Sequence, residues 1–95
     1  MSQRRRVHLL ISGRVQGVFF RVRCQAQAEG LALSGWVRNL TDGRVEVWAE
    51  GPLEAIEAFI AWCRQGPAGG RVDEVLLRDE PPTGDRVGFR IERDG

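Results

Sequence analysis

Apolar and polar positions alternate from Val7 onward: Val7, Leu9 and Ile11 share one parity, with His8, Leu10 and Ser12 on the other. A period of two marks a strand with one buried face. Gly13-Arg14-Val15-Gln16-Gly17 follows, a loop with glycine at each end, and the period then changes. Phe20, Cys24, Ala28 and Leu31 recur at steps of four, four and three, the spacing of one helix face. Gly30 is expected to stop that helix.

Leu33 to Leu40 and Arg44 to Glu50 read as a hairpin turning at Asp42-Gly43. The apolar residues Val37, Val45, Val47 and Ala49 carry odd numbers, whereas Trp36, Arg38, Glu46 and Trp48 carry even ones. Odd can face odd across a hairpin only when the loop has an odd length. A three-residue loop, Thr41-Asp42-Gly43 with Gly43 left-handed, satisfies this. It predicts Trp36 opposite Trp48 and Arg38 opposite Glu46.

A second helix is expected to begin with Pro52 in its first position. Leu53, Ile56, Phe59, Ile60 and Cys63 form its apolar stripe, and Gly66-Pro67 ends it. Further strands are expected at Arg71 to Asp79 and Val87 to Glu92, separated by the breaker Pro81-Pro82-Thr83-Gly84. This βαββαβ order with a short C-terminal strand predicts an α+β, ferredoxin-like sandwich, two helices on one face of a mostly antiparallel sheet. No linker or repeat divides the chain, so residues 1–95 are expected to form a single domain.

With 42% hydrophobic and 28% charged residues, the composition is that of an ordinary globular domain. No apolar run nears the roughly 20 residues of a membrane helix, and Val7 to Ile11 is too short for a signal-peptide core. A cytoplasmic protein without a membrane partner is the expectation. The net charge of +1 conceals an asymmetry: residues 1–28 hold six Arg and no acid. A basic segment on a near-neutral chain points to a local anion site.

The chain contains no lysine, which removes Schiff-base lysine chemistry and any P-loop lysine. Cys24 and Cys63 lie on helical apolar faces and are expected to be buried free thiols. With a single histidine and no metal-ligand spacing, no metal site is expected. His8 is expected to be an exposed or hydrogen-bonded strand residue, and Trp62 to be packing. The Arg4–Arg6 run reads as a solvated end, and Asp73-Glu74 and Asp79-Glu80 as solubilising charges.

The loop before the first helix carries the chemistry. Arg21 and Arg23 fall near the helix N-terminus, where the dipole favours Asp and Glu, and no acid is nearby. Two readings stand: Arg21 pairs with a distant carboxylate, or a bound phosphate supplies the missing negative charge. A guanidinium fork can grip two phosphate oxygens, and loop N–H groups can take the third. Asn39 ends the first hairpin strand on the otherwise apolar parity. It is either a turn residue bonded to its own backbone or a carboxamide that holds a water.

Gly13-Arg14-Val15-Gln16-Gly17-Val18-Phe19-Phe20-Arg21, followed by Gly35-Trp36-Val37-Arg38-Asn39-Leu40-Thr41-Asp42-Gly43, closely resembles the acylphosphatase family. The similarity continues through Gly30-Leu31, Val45-Glu46-Val47, Glu50-Gly51-Pro52 and Gly88-Phe89-Arg90-Ile91. The resemblance implies a ferredoxin-like hydrolase that cleaves the carboxyl–phosphate anhydride of small acyl phosphates, giving a carboxylate and inorganic phosphate without cofactor or metal. By position it implies Arg21 as the phosphate-binding arginine and Asn39 as the water-positioning asparagine. It implies the backbone of Val15, Gln16, Gly17, Val18 and Phe19 as the phosphate cradle. Phe19 stands where relatives vary between glycine and larger residues, and Cys24 where threonine is frequent. Few determinants for the acyl group are visible, so a monomer accepting small acyl chains broadly is expected.

Two rival readings have sequence features behind them. Trp36 and Trp48 with Arg4, Arg5, Arg6 and Arg38 could make a nucleic-acid-binding sheet face. Glu46 and Glu50 place negative charge there, and the glycine–aromatic pattern of an RNA-recognition strand is lacking, so no nucleic-acid partner is expected. The other rival is a domain with the fold and no turnover; the presence of both Arg21 and Asn39 disfavours it.

Overall fold

The computed structural model, which describes residues 3–84 and 87–95, turns the first alternation into a long strand, β1 (Arg4–Arg14). After it come α1 (Phe20–Gly30), β2 (Ser34–Asn39), β3 (Val45–Pro52), α2 (Leu53–Gln65), β4 (Arg71–Glu80) and β5 (Phe89–Ile91). The strands form one sheet in the order β4-β1-β3-β2-β5, antiparallel except where β5 runs parallel to β2. The fold is the expected ferredoxin-like α+β sandwich.

Parity sets the register. Trp36 pairs with Trp48 and Arg38 with Glu46, and Gly43 has a φ of 95°, as a three-residue left-handed loop requires. Leu77, Leu9, Val47, Val37 and Ile91 thereby fall in one row across all five strands. The helices cover that row: Phe20, Cys24 and Ala28 from α1, and Ile56, Phe59, Ile60 and Cys63 from α2, are buried in a single core with Val7, Leu9 and Ile11. Cys24 and Cys63 are buried free thiols, as expected. Burial pushes the Cys24 thiol pKa well up, and the neighbouring Cys63 thiol adds to the effect. Gly35 is needed where β2 meets β3: its φ is 142°, and a Cβ there would lie 1.9 Å from the Trp48 carbonyl oxygen.

Several boundaries differ from expectation. Gly30 is the last residue of α1, and the left-handed stop is Ala32, at φ 57°. The Leu33 N–H bonds the Ala28 carbonyl at 2.9 Å and the Ala32 N–H bonds that of Glu29 at 3.0 Å, a paired closure that satisfies the last carbonyls without glycine. Pro52 caps α2 from outside rather than opening it, because its ψ of 147° is extended. The final strand is shorter than Val87 to Glu92 and keeps only Phe89–Ile91.

The Arg4–Arg6 run is no solvated end. It is the start of β1, where Arg5 Nε lies 2.7 Å from Asp79 Oδ1 and the Arg6 guanidinium stacks 4.6 Å from the Trp48 ring centre. Asp79 and Asp73 are correspondingly ion-pair partners, of Arg5 and Arg71, rather than merely solubilising. His8 is the expected hydrogen-bonded strand residue, 2.7 Å from Glu46 and stacked on Trp48. Burial pushes the Glu46 carboxyl up, yet the bonds from His8 and Arg38 outweigh it and hold the group below its ordinary value. Trp62 packs on Phe20, ring centres 5.2 Å apart.

Candidate active site

β1 leaves the sheet at Arg14 and the chain must reverse within five residues to enter α1. Val15 plugs the core, Gly17 takes a φ of 75°, and Phe19 caps the helix in a left-handed conformation at φ 62° and ψ 25°. This path leaves the N–H groups of Gln16, Gly17, Val18 and Phe19 without an acceptor among the described residues. The first helical bond, from the Arg23 N–H to the Phe19 carbonyl, spans 3.1 Å, and no acid stands in the first turn. Free amides at the positive end of a helix make a receptor for an anion.

Phe20 orients the arginine. Its ring is buried against Trp62, which rolls α1 so that the next side chain, Arg21, emerges half-buried at the loop mouth. Nη1 of Arg21 donates to Asp94 Oδ1 at 3.0 Å, so the pairing with a distant carboxylate is observed. That pairing uses one nitrogen. The Nε and Nη2 groups have no partner among the described residues, and this edge of the fork can take two oxygens of a phosphate.

Asn39 reaches the same place from β2. It pairs with Val45 at the end of the hairpin and shares the helix-facing parity of Val37. Its Oδ1 is buried and accepts no hydrogen bond from the described residues. Buried acceptors are nearly always satisfied, so this one calls for a donor brought in from solution. The turn-residue reading fails here, since the side chain does not bond its own backbone.

Val15, Gly17, Phe19, Phe20, Arg21, Val22 and Asn39 together line a pocket of about 220 Å³. That is below the roughly 300–1,000 Å³ of pockets for drug-sized ligands. A space of this size has room for a small anion, with anything attached to it lying at the mouth. Gln16 and Val18 lie outside this lining. Val18 packs on the core, while the Gln16 Nε2 donates to the carbonyls of Leu40 and Arg44, at 2.8 and 2.9 Å. Arg23 is not brought in; it faces a separate groove beside Trp62 and Gln65.

Val22, Asp94 and the Gln16 side chain escaped the sequence reading. Val22 could have been found by continuing the helix past Arg21 on its solvent face. Asp94 has no local pattern, since 73 positions separate it from Arg21. Among the described residues, no group of three or more His, Cys, Asp or Glu is placed to hold a metal ion.

The acylphosphatase family model matches residues 7–91, a span that includes both the loop and the hairpin. The chain belongs to the acylphosphatase family. An acylphosphatase from Methylococcus capsulatus is 49% identical over 90 residues, covering 95% of this chain and 98% of that protein. One from a Synechococcus strain is 52% identical over 84 residues, covering 88% of this chain and 89% of its own. The crystal structure of acylphosphatase from Bacillus subtilis superposes with a TM-score of 0.89 at 34% identity, covering 93% of this chain and 98% of that one. With acylphosphatases matching along nearly their whole lengths, the chain is an enzyme of this activity, a hydrolase.

Proposed function

We propose that this acylphosphatase acts on small acyl phosphates by direct attack of a water on phosphorus, with Asn39 positioning the water. Arg21 and the N–H groups of residues 15–19 hold the phosphoryl oxygens. The observation that carries this reading is the buried, unpartnered Asn39 Oδ1, which shares one pocket with the Arg21 guanidinium. An acceptor so placed takes one hydrogen of a water and aims its oxygen at a phosphorus held by the arginine and the loop. The same donors stabilise the charge spread over the phosphoryl oxygens in the transition state.

The remaining chemistry asks little of the chain. The leaving group is a carboxylate, whose conjugate acid has a pKa of roughly 4, so it departs without a proton. The lone histidine, His8, sits on the opposite face of the sheet and is engaged by Glu46. No covalent intermediate and no metal enter this scheme. The same reading makes residues 1–95 one domain, a cytoplasmic monomer working on a dissolved small molecule. Arg6 and Arg38 cover the Trp48 and Trp36 rings, which disfavours base stacking there.

Hydrolysis of acetyl phosphate and benzoyl phosphate, with a chelator present, tests the scheme. In heavy-oxygen water the label is expected in the phosphate and not in the carboxylate. Arg21→Ala should abolish turnover and inhibition by inorganic phosphate together, and Arg21→Lys should do little better, since a point charge lacks the fork. Asn39→Ala should lower kcat by about a hundredfold or more while phosphate inhibition changes far less. Label in the carboxylate, or near wild-type rates in either alanine variant, would overturn the mechanism.

A further inference from the structure

Four large apolar side chains stand exposed among the described residues: Phe19, Val22, Leu76 and Val87. Two of them, Phe19 at 75% and Val22 at 56% exposure, line the pocket that holds Arg21 and Asn39. Scattered exposed apolar residues need no explanation, but a pair at the rim of one site does. Phe19 adds nothing to the core, which its neighbour Phe20 fills. It also occupies a left-handed conformation that glycine or asparagine adopts more readily.

The inner wall continues the apolar character, since Val15 and Phe20 lie in the same lining. Arg21 is the one charged side chain there, so nothing faces a second anionic group on the substrate. A phosphoryl group seated between Arg21 and the loop amides must project its acyl group out of the mouth. At the mouth it meets Phe19 and Val22.

We infer that Phe19 and Val22 form an acyl-binding lip, and that this enzyme favours acyl phosphates with an apolar aromatic or branched acyl group over acetyl phosphate. The inference rests on the proposed function and names the substrate class of that site. The lip removes apolar surface from water in the bound substrate and the transition state alike, so its effect lies in KM more than in kcat. The broad acceptance expected from the sequence is thereby narrowed.

The test compares kcat/KM for benzoyl phosphate with kcat/KM for acetyl phosphate in the wild type, Phe19→Asn and Val22→Gln. Asparagine tolerates the left-handed conformation, and glutamine suits a helix, so both backbones are conserved. Comparing ratios between variant and wild type cancels the intrinsic reactivity of the two substrates. Each variant is expected to lower the benzoyl-to-acetyl ratio by about three- to tenfold, the scale of one aromatic contact, mainly through a higher KM for benzoyl phosphate. An unchanged ratio in a Val22→Gln enzyme that turns over both substrates would overturn the lip and leave the catalytic scheme standing. A wild type that hydrolyses neither substrate would overturn both.

Discussion

The Arg21 guanidinium and the Asp94 carboxylate meet at 3.0 Å, Nη1 to Oδ1, at the edge of the pocket that Arg21 and Asn39 line. Two backbone bonds lay the C-terminal segment beside β2: Glu92 N–H to the Val37 carbonyl, and Gly95 N–H to the Asn39 carbonyl, each 2.8 Å. One short segment therefore touches both residues of the proposed mechanism.

In the proposed scheme Asp94 orients Arg21, and the substrate's phosphoryl group is the charge that the site binds. The two side chains are 37% and 59% exposed, so solvent screens the pair, and such pairs are worth at most about 1 kcal/mol. Asp94→Asn should lower kcat/KM by no more than about fivefold, and by less at high salt. A faster enzyme would instead identify the carboxylate as a competitor of the substrate. A loss matching that of Arg21→Ala would place Asp94 in the reaction itself.

Gln16 couples the two halves of the site. Its amide ties the loop between β1 and α1 to the carbonyls of Leu40 and Arg44, close beyond Asn39. Losing two such bonds should lower Tm by roughly 8–16 °C, at about 1 kcal/mol per bond, and kcat by about tenfold as Asn39 drifts. Gln16→Glu should be worse than Gln16→Ala, because a carboxylate would face two carbonyl oxygens. Thermal melts and single-substrate kinetics of the two variants check the order; the reverse order would show that the side chain is no clasp.

Glu50 makes a comparable clasp at the far end of the sheet. Its buried carboxylate accepts from the N–H groups of Thr83 and Gly84 at 3.0 and 2.7 Å, and Arg4 Nη2 stands 3.5 Å away. Burial pushes the Glu50 carboxyl up, but the backbone bonds, the Thr83 hydroxyl and Arg4 together hold it below its ordinary value of 4.5. The folded state thus binds this proton less tightly than the unfolded chain. Its stabilisation is complete above the ordinary value and is lost as the pH falls through the folded value. Glu50→Gln should lower Tm at pH 7 by roughly 5–15 °C. The gap to wild type should close as the pH falls from 7 to below the group's ordinary value of 4.5 and on through the lowered folded value. Melting curves across that range giving a constant gap would assign the loss to packing instead.

The elements and their register were legible because they rest on local periods. Parity and a three-residue turn at Asp42-Gly43 placed Trp36 opposite Trp48 and Arg38 opposite Glu46. Helix and strand ends were less legible. Ala32 could replace an expected glycine stop because two backbone bonds hold it in place.

The chain by itself determined the fold class and the family, and it singled out Arg21 and Asn39 as the two side chains of the proposed mechanism. Each is written in spacing or in a contiguous motif, and neighbouring residues are enough to express it. Only the tertiary structure decided what surrounds those side chains. The parallel placement of β5 beside β2 carries Asp94 to Arg21, and the turn after Asn39 comes within reach of Gln16. The left-handed Phe19 turns its ring to the mouth rather than the core. Contacts between residues so distant in sequence depend on strand order and on the direction in which each chain segment leaves the sheet, and no local period encodes either.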